Sequence, residues 1–197
     1  MIPDHLVFRS QQPDTMKTDD IWHTTFCGVP AVQAWQDFML WERFLNEAKP
    51  KTIIEIGTFE GGFSLYLYFQ AYSRNALFYT VDFMNFAKFD DETSPLFVNG
   101  LKSFFLHVDV WSDAFQGFLQ RGISDPLSHP VVLFCDGGNK PKEMQTFSPR
   151  LSVGDYLAVH DWSHECSDAD LEGLPIEKVL QSECESLNSL TRFFKRV

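Results

Sequence analysis

The sequence predicts an α/β fold, a doubly wound, mostly parallel sheet of about seven strands with helices on both faces. Two observations carry this. Short apolar runs rich in β-branched and aromatic residues alternate along the chain with segments whose apolar residues recur at helical spacing. Five of those runs also carry an acidic residue at or near their carboxyl ends: Glu55, Asp82, Asp109, Asp136 and Asp161. In a parallel sheet these ends share one edge, which is where such sheets bind ligands. The length of 197 residues, with 44% hydrophobic and 22% charged residues, suits one well-cored domain.

Residues 1–29 read as an irregular arm, because Pro3, Pro13, Asp14, Asp19 and Asp20 interrupt any period. Ile21, Trp22 and Phe26 can pin its end to the body. The remaining domain, 30–197, opens with a helix over 30–48. Pro30 suits a first turn, Val32, Trp35, Phe38, Met39 and Leu45 mark one face, and Lys49-Pro50 stops it. A buried strand over 52–57 ends in glycine, and Gly61-Gly62 leads into an apolar helix over 63–69. The next strand covers 76–82. A helix around 94–102 precedes a strand over 104–109 and a helix over 112–121. A fourth strand, 131–135, runs into Asp136, and a short helix over 141–149 follows. The fifth strand, 155–159, runs into His160-Asp161. Beyond it lie an acidic loop over 164–173 and two closing strands, 175–181 and 190–196.

Composition narrows the partners. A net charge of −11 leaves no basic face for phosphates, so neither nucleic acid nor an anionic membrane surface is expected. The cluster Arg192, Lys195, Arg196 is too small to reverse this. The four cysteines form no CxxC pair, which leaves a thiolate zinc site without support, and Cys135 reads as a buried free thiol. With no hydrophobic leader near the start and no run of membrane-spanning length, a cytoplasmic protein is expected. A homo-oligomer is compatible with the composition.

Residues 55–62 (Glu55-Ile56-Gly57-Thr58-Phe59-Glu60-Gly61-Gly62) form a strand end, a glycine turn and a helix start. A nicotinamide-binding turn would read GxGxxG, but Phe59 stands where its second glycine belongs and would obstruct a pyrophosphate. S-adenosylmethionine (SAM) carries no phosphate and is cationic at sulfur, so it is compatible with this acidic turn. Asp82 can accept two hydrogen bonds from ribose hydroxyls, with Phe83 beside it. Asp109 can accept an adenine amine while Val110 packs on the ring, or Asp109 can simply cap a helix.

Residues 53–64 resemble the first motif of metal-linked small-molecule O-methyltransferases. These include the catechol group and the cephalosporin-hydroxylase-like and macrocin-type groups. Asp136-Gly137-Gly138-Asn139 and residues 151–161 are similar to that family's pair of motifs, Asp-Gly-x-His followed by Leu-x-x-Gly-Gly-x-x-x-x-His-Asp. The resemblance covers residues 50–162 in the correct order. It implies a Rossmann-like class I SAM-dependent methyltransferase, with O-methylation of a small hydroxylated metabolite, sugar or natural-product scaffold favoured. The implied cofactor residues are Glu55, Gly57, Thr58, Phe59, Gly61, Asp82, Phe83, Asp109, Val110 and Asp136.

Asp136 and Asp161 close neighbouring strands, and two converging carboxylates can hold Mg²⁺ or a similar hard cation. In the resembling enzymes such a metal lowers the pKa of the acceptor hydroxyl. His160 can join them as a ligand, act as a general base, or merely cap its strand. Lys140 can orient or deprotonate a hydroxyl, although exposure is the ordinary state of a lysine. The chain departs from the family in three places. Asn139 stands at the histidine position, Asp155 replaces the second glycine as a change of turn, and Trp162 follows Asp161 where the catechol group has a metal-binding asparagine. His164, Glu165, Asp168 and Asp170 offer replacement ligands, or form a solvated loop. Two other readings compete: a degenerate methyltransferase that binds SAM without catalysis, and a nicotinamide enzyme on a similar sheet.

Overall fold

The computed structural model describes residues 24–87 and 100–197. A two-stranded hairpin, β1 (Thr25–Phe26) and β2 (Val29–Pro30), leads into α1 (Trp35–Ala48). The main sheet then assembles from β3 (Thr52–Ile56), β4 (Leu77–Asp82), β5 (Phe105–His107), β6 (Val131–Cys135), β7 (Tyr156–Val159), β8 (Ile176–Val179) and β9 (Arg192–Arg196). Its spatial order is β5-β4-β3-β6-β7-β9-β8. The first five strands in that order are parallel, and β9 runs antiparallel to both neighbours. Strand order reverses between β3 and β6, so the ligand crevice is expected beyond their carboxyl ends.

The further α-helices bounded among the described residues are α2 (Gly62–Ser73), α3 (Asp113–Ser124), α4 (Lys140–Phe147) and α5 (Gln181–Ser186). Strand alternation divides the core between the two faces. Ile53 joins Trp41, Phe44, Phe63, Leu65 and Phe134 on one side. Ile54 and Ile56 join Phe115, Leu119, Leu133 and Phe147 on the other. Trp41 is fully buried, edge-on to Phe63, Phe134 and Phe193, and Phe44 stacks on Phe193 at 4.3 Å. Much of the aromatic content thus serves the core, where each ring buries a large apolar area.

The predicted helix over 30–48 begins later, at Trp35. Val29–Pro30 is held in the hairpin and Ala31 N donates to Thr24 O, which keeps this stretch extended. The arm before residue 24 and most of the expected helix around 94–102 lie outside the described residues. α5 is an addition that the apolar pattern does not announce. Among the described residues no helix is long and apolar enough to cross a membrane. Cys135, Cys166 and Cys184 are buried free thiols, and Cys27 is exposed.

Candidate active site

Gly57 follows the last residue of β3 with φ 97°. A Cβ there would collide with the carbonyl oxygen of Asp136, so the exits of β3 and β6 approach as closely as only glycine allows. The turn is pinned from β4. Thr58 N and Phe59 N donate to Asp82 Oδ2 at 3.1 and 3.0 Å, and Met84 N donates to Oδ1 at 2.9 Å. A carboxylate offers about four acceptor sites, so three are already used. One ribose hydroxyl, rather than the expected two, can join without displacing the backbone.

A cavity of about 990 Å³ opens beside this turn. It is lined by Gly57, Phe59, Asp82, Phe83, Asp109, Val110, Asp136, Lys140, His160 and Asp161. Such a volume suits a nucleoside cofactor with a small acceptor beside it. The apolar wall of Phe59, Phe83 and Val110, with Asp82 and Asp109 at its edge, fits a nucleoside bearing a cation.

The predicted cofactor residues Glu55, Thr58 and Gly61 do not face this cavity. Glu55 is turned toward the start of α2, where Ser64 Oγ donates to it, and burial pushes its pKa up to about 8. Thr58 Oγ1 pairs with Thr80 Oγ1 at 2.6 Å, and Gly61 is the N-cap of α2. All three border a small void behind the turn. The acidic rim therefore holds four of the five expected carboxylates. Asp109 is not a helix cap, since Ser112 fills that position, and Asp109 Oδ1 instead accepts from Trp111 N at 2.9 Å.

Across the cavity, β6 and β7 place Asp136 and Asp161 side by side, with His160 between them. His160 Nδ1 lies 3.2 Å from Asp136 Oδ1 and 3.4 Å from Asp161 Oδ1. Burial opposes charge on this ring, but the two carboxylates prevail and raise its pKa to about 10. This favours the imidazolium over the neutral ring that a general base requires. Lys140 is not exposed, as its sequence position suggests, but only 4% accessible. Its Nζ is 2.8 Å from Asp161 Oδ2, 2.9 Å from Glu165 Oε2 and 3.7 Å from Asp136 Oδ1, and it donates to Gly137 O at 3.0 Å. Burial opposes its charge too, yet these neighbours hold its pKa above the usual lysine range. The same cations hold Asp161 well below the carboxylate range, against its own burial.

The potential metal ligands Asp136, His160 and Asp161 do converge, with ligand atoms within 4.8 Å of one another. Their donor set nevertheless does not suit a divalent ion. Asp136 Oδ2 already accepts from Gln33 Nε2 at 2.7 Å, and the other three carboxylate oxygens face His160 or Lys140.

The departures from the family motifs acquire physical reasons. Asn139 caps α4, its side chain accepting from Lys142 N at 3.1 Å. Asp155 does more than alter a turn. It is 1% exposed and accepts from His129 Nδ1, Val131 N and Ser152 N at 2.7–2.8 Å, at the sheet edge opposite the site. In the acidic loop, Asp170 forms a capping box with Ser167 and Asp168 pairs with Lys178, while Glu165 turns to Lys140. Residues missed by the motifs also matter. Gln33 reaches Asp136 from before α1. Glu143 accepts from Gly137 N and Asn139 N, and its burial pushes its pKa up to about 7. Side-chain bulk at Gly137 would strike Glu143. Trp111 closes one wall under the Lys142 ammonium at 3.8 Å.

No protein-family model and no curated protein matches the chain. Solved structures do. The SAH-bound structure of CmcI is similar at a TM-score of 0.61 and 12% identity, over 93% of this chain and 87% of that one. The Mg-SAM structure of CmcI aligns at 0.53 and 17%, over 71% of this chain and 58% of that one. A Klebsiella pneumoniae protein assigned as an O-methyltransferase aligns at 0.53 and 13%, over 98% and 96%. At these identities the likeness is one of fold, the Rossmann-like methyltransferase fold.

Proposed function

We propose that this chain is a SAM-dependent methyltransferase that methylates a hydroxyl oxygen of a small acceptor. One observation carries the reading. A glycine turn, a pinned ribose-side carboxylate and an ionic cluster from two neighbouring strands meet around a single cavity at the carboxyl edge of the sheet. The solved structures named above support it through their fold and the SAM and SAH that two of them hold.

SAM would supply an electrophilic methyl group on a sulfonium. The Gly57 turn, Asp82, Phe83, Asp109 and Val110 are the residues that would hold it, and the acidic wall suits its charge. The rest of the work falls to orientation and electrostatics. The Lys140 ammonium and His160 imidazolium stabilise negative charge growing on the acceptor oxygen. With both held in their protonated forms and Asp161 held well below the carboxylate range, the carboxylates of Asp136 and Glu165 are left as acceptors. Glu165 is half-exposed and can pass a proton to solvent. Trp35, Phe86, Trp111 and Trp162 also line the cavity, which favours an acceptor whose hydroxyl is borne on a ring.

The test is calorimetry with SAM, SAH and NAD⁺ in parallel, followed by methyl-labelled SAM with a panel of phenols, catechols and sugars. Binding of SAM and SAH with label transfer to a hydroxylated acceptor is expected. Tighter binding of NAD⁺, or SAM binding without transfer across the panel, would defeat the assignment.

A further inference from the structure

Lys140 gives up most of its hydration, which a charged group tolerates only where other polar atoms replace the water. Four oxygens do so: one each from Asp161, Glu165 and Gly137 within 3.0 Å, and Asp136 Oδ1 at 3.7 Å. They come from the end of β6, the end of β7 and the loop behind it. An all-oxygen, carboxylate-rich set is what a hard divalent cation takes. The carboxylate oxygens that Lys140 leaves are faced by other N–H donors, from Gln33 to Asp136 Oδ2 and from His160 to Asp161 Oδ1.

We infer that the Lys140 ammonium is this site's resident cation, filling the place a divalent ion would need between Asp136 and Asp161, so that the chain holds its acceptor oxygen without a metal. Occupancy of the position stands on geometry. The service to an acceptor oxygen rests on the methyl-transfer reading above. Three features fit the inference. Lysine at the first position of α4 projects back over the end of β6. Asn139 has turned to capping rather than offering a ligand. Glu165 joins Asp161 and the Gly137 carbonyl to give three acceptors for an ammonium's three N–H donors.

The experiment is Mn²⁺ titration of the full chain, stripped of metal by chelator, followed by electron paramagnetic resonance, with SAM calorimetry on the same samples. The wild type is expected to take no stoichiometric Mn²⁺ and to bind SAM equally with and without chelator. Lys140→Ala should acquire one Mn²⁺ at least about tenfold more tightly than the wild type, and Lys140→Arg should stay metal-free. A wild type that binds one Mn²⁺ in the micromolar range overturns the inference. So does a Lys140→Ala protein that is folded by circular dichroism yet gains no Mn²⁺. Should Lys140→Ala fail to fold, the wild-type titration still decides. Loss of SAM binding in the wild type would sink the methyl-transfer reading while leaving the Mn²⁺ result standing.

Discussion

The two sides of the cavity are built from opposite materials. Beside β3, β4 and β5 the wall is apolar and held by backbone. Gly57 closes on the Asp136 carbonyl, and three main-chain N–H groups saturate most of Asp82. Beside β6 and β7 the wall is ionic. Asp136, Asp161 and Glu165 face Lys140 and His160 through side chains alone. The first side is shaped to receive a ligand whose form does not change. The second can redistribute charge and protons, as a reacting centre requires. Substitutions on the two sides should therefore separate binding from turnover.

The largest separation is expected at Asp161. Asp161→Ala removes the nearest partner of Lys140 and one of the two carboxylates facing His160. Turnover should fall by on the order of 100- to 1000-fold while SAM affinity changes by less than about threefold. Single-turnover assays paired with calorimetry check this, and equal losses in both would erase the distinction between the two sides. Asp155→Ala, at the far edge of the sheet, provides the contrast. It strands three donors, so stability should fall by about 3 kcal/mol with SAM affinity per folded molecule unchanged. Urea unfolding measures it. Asp82→Ala should weaken SAM by about 1.5–3 kcal/mol, since it loses the ribose contact and frees the Gly57 turn, while turnover at saturating SAM stays near wild type.

A separate readout is the pH dependence of stability. His160 has a native pKa near 10 against an ordinary 6.5, so the native state holds its proton more tightly. Its stabilising contribution is complete below pH 6.5 and is lost as pH rises through about 10. Buried Glu55, raised from 4.5 to about 8, has the same sign over a lower window. Denaturant titrations should show stability declining across both windows. Glu55→Gln should flatten the lower decline and His160→Gln the upper.

The backbone-held side was the more legible in sequence. Gly57, Asp82 and Asp109 sit at strand ends, and local spacing places strand ends well. The alternation of runs likewise gave the order of elements and the parallel sheet. What escaped depends on contacts between distant segments. Lys140 looks like an ordinary exposed lysine until residues 161 and 165 close over it. Asp155 looks like a loop residue until His129 and Val131 arrive. Glu55 has the right position, but strand alternation turns it toward α2 and away from the rim. Gln33 lies in a stretch whose apolar spacing suggests helix, and the hairpin holds that stretch extended instead.

The most direct test of the central claim is the heat of SAM binding to the chelator-treated chain, with and without added Mg²⁺. One SAM per chain, bound equally in both conditions, is the predicted result. No binding of SAM, or binding that appears only with Mg²⁺, would contradict the account.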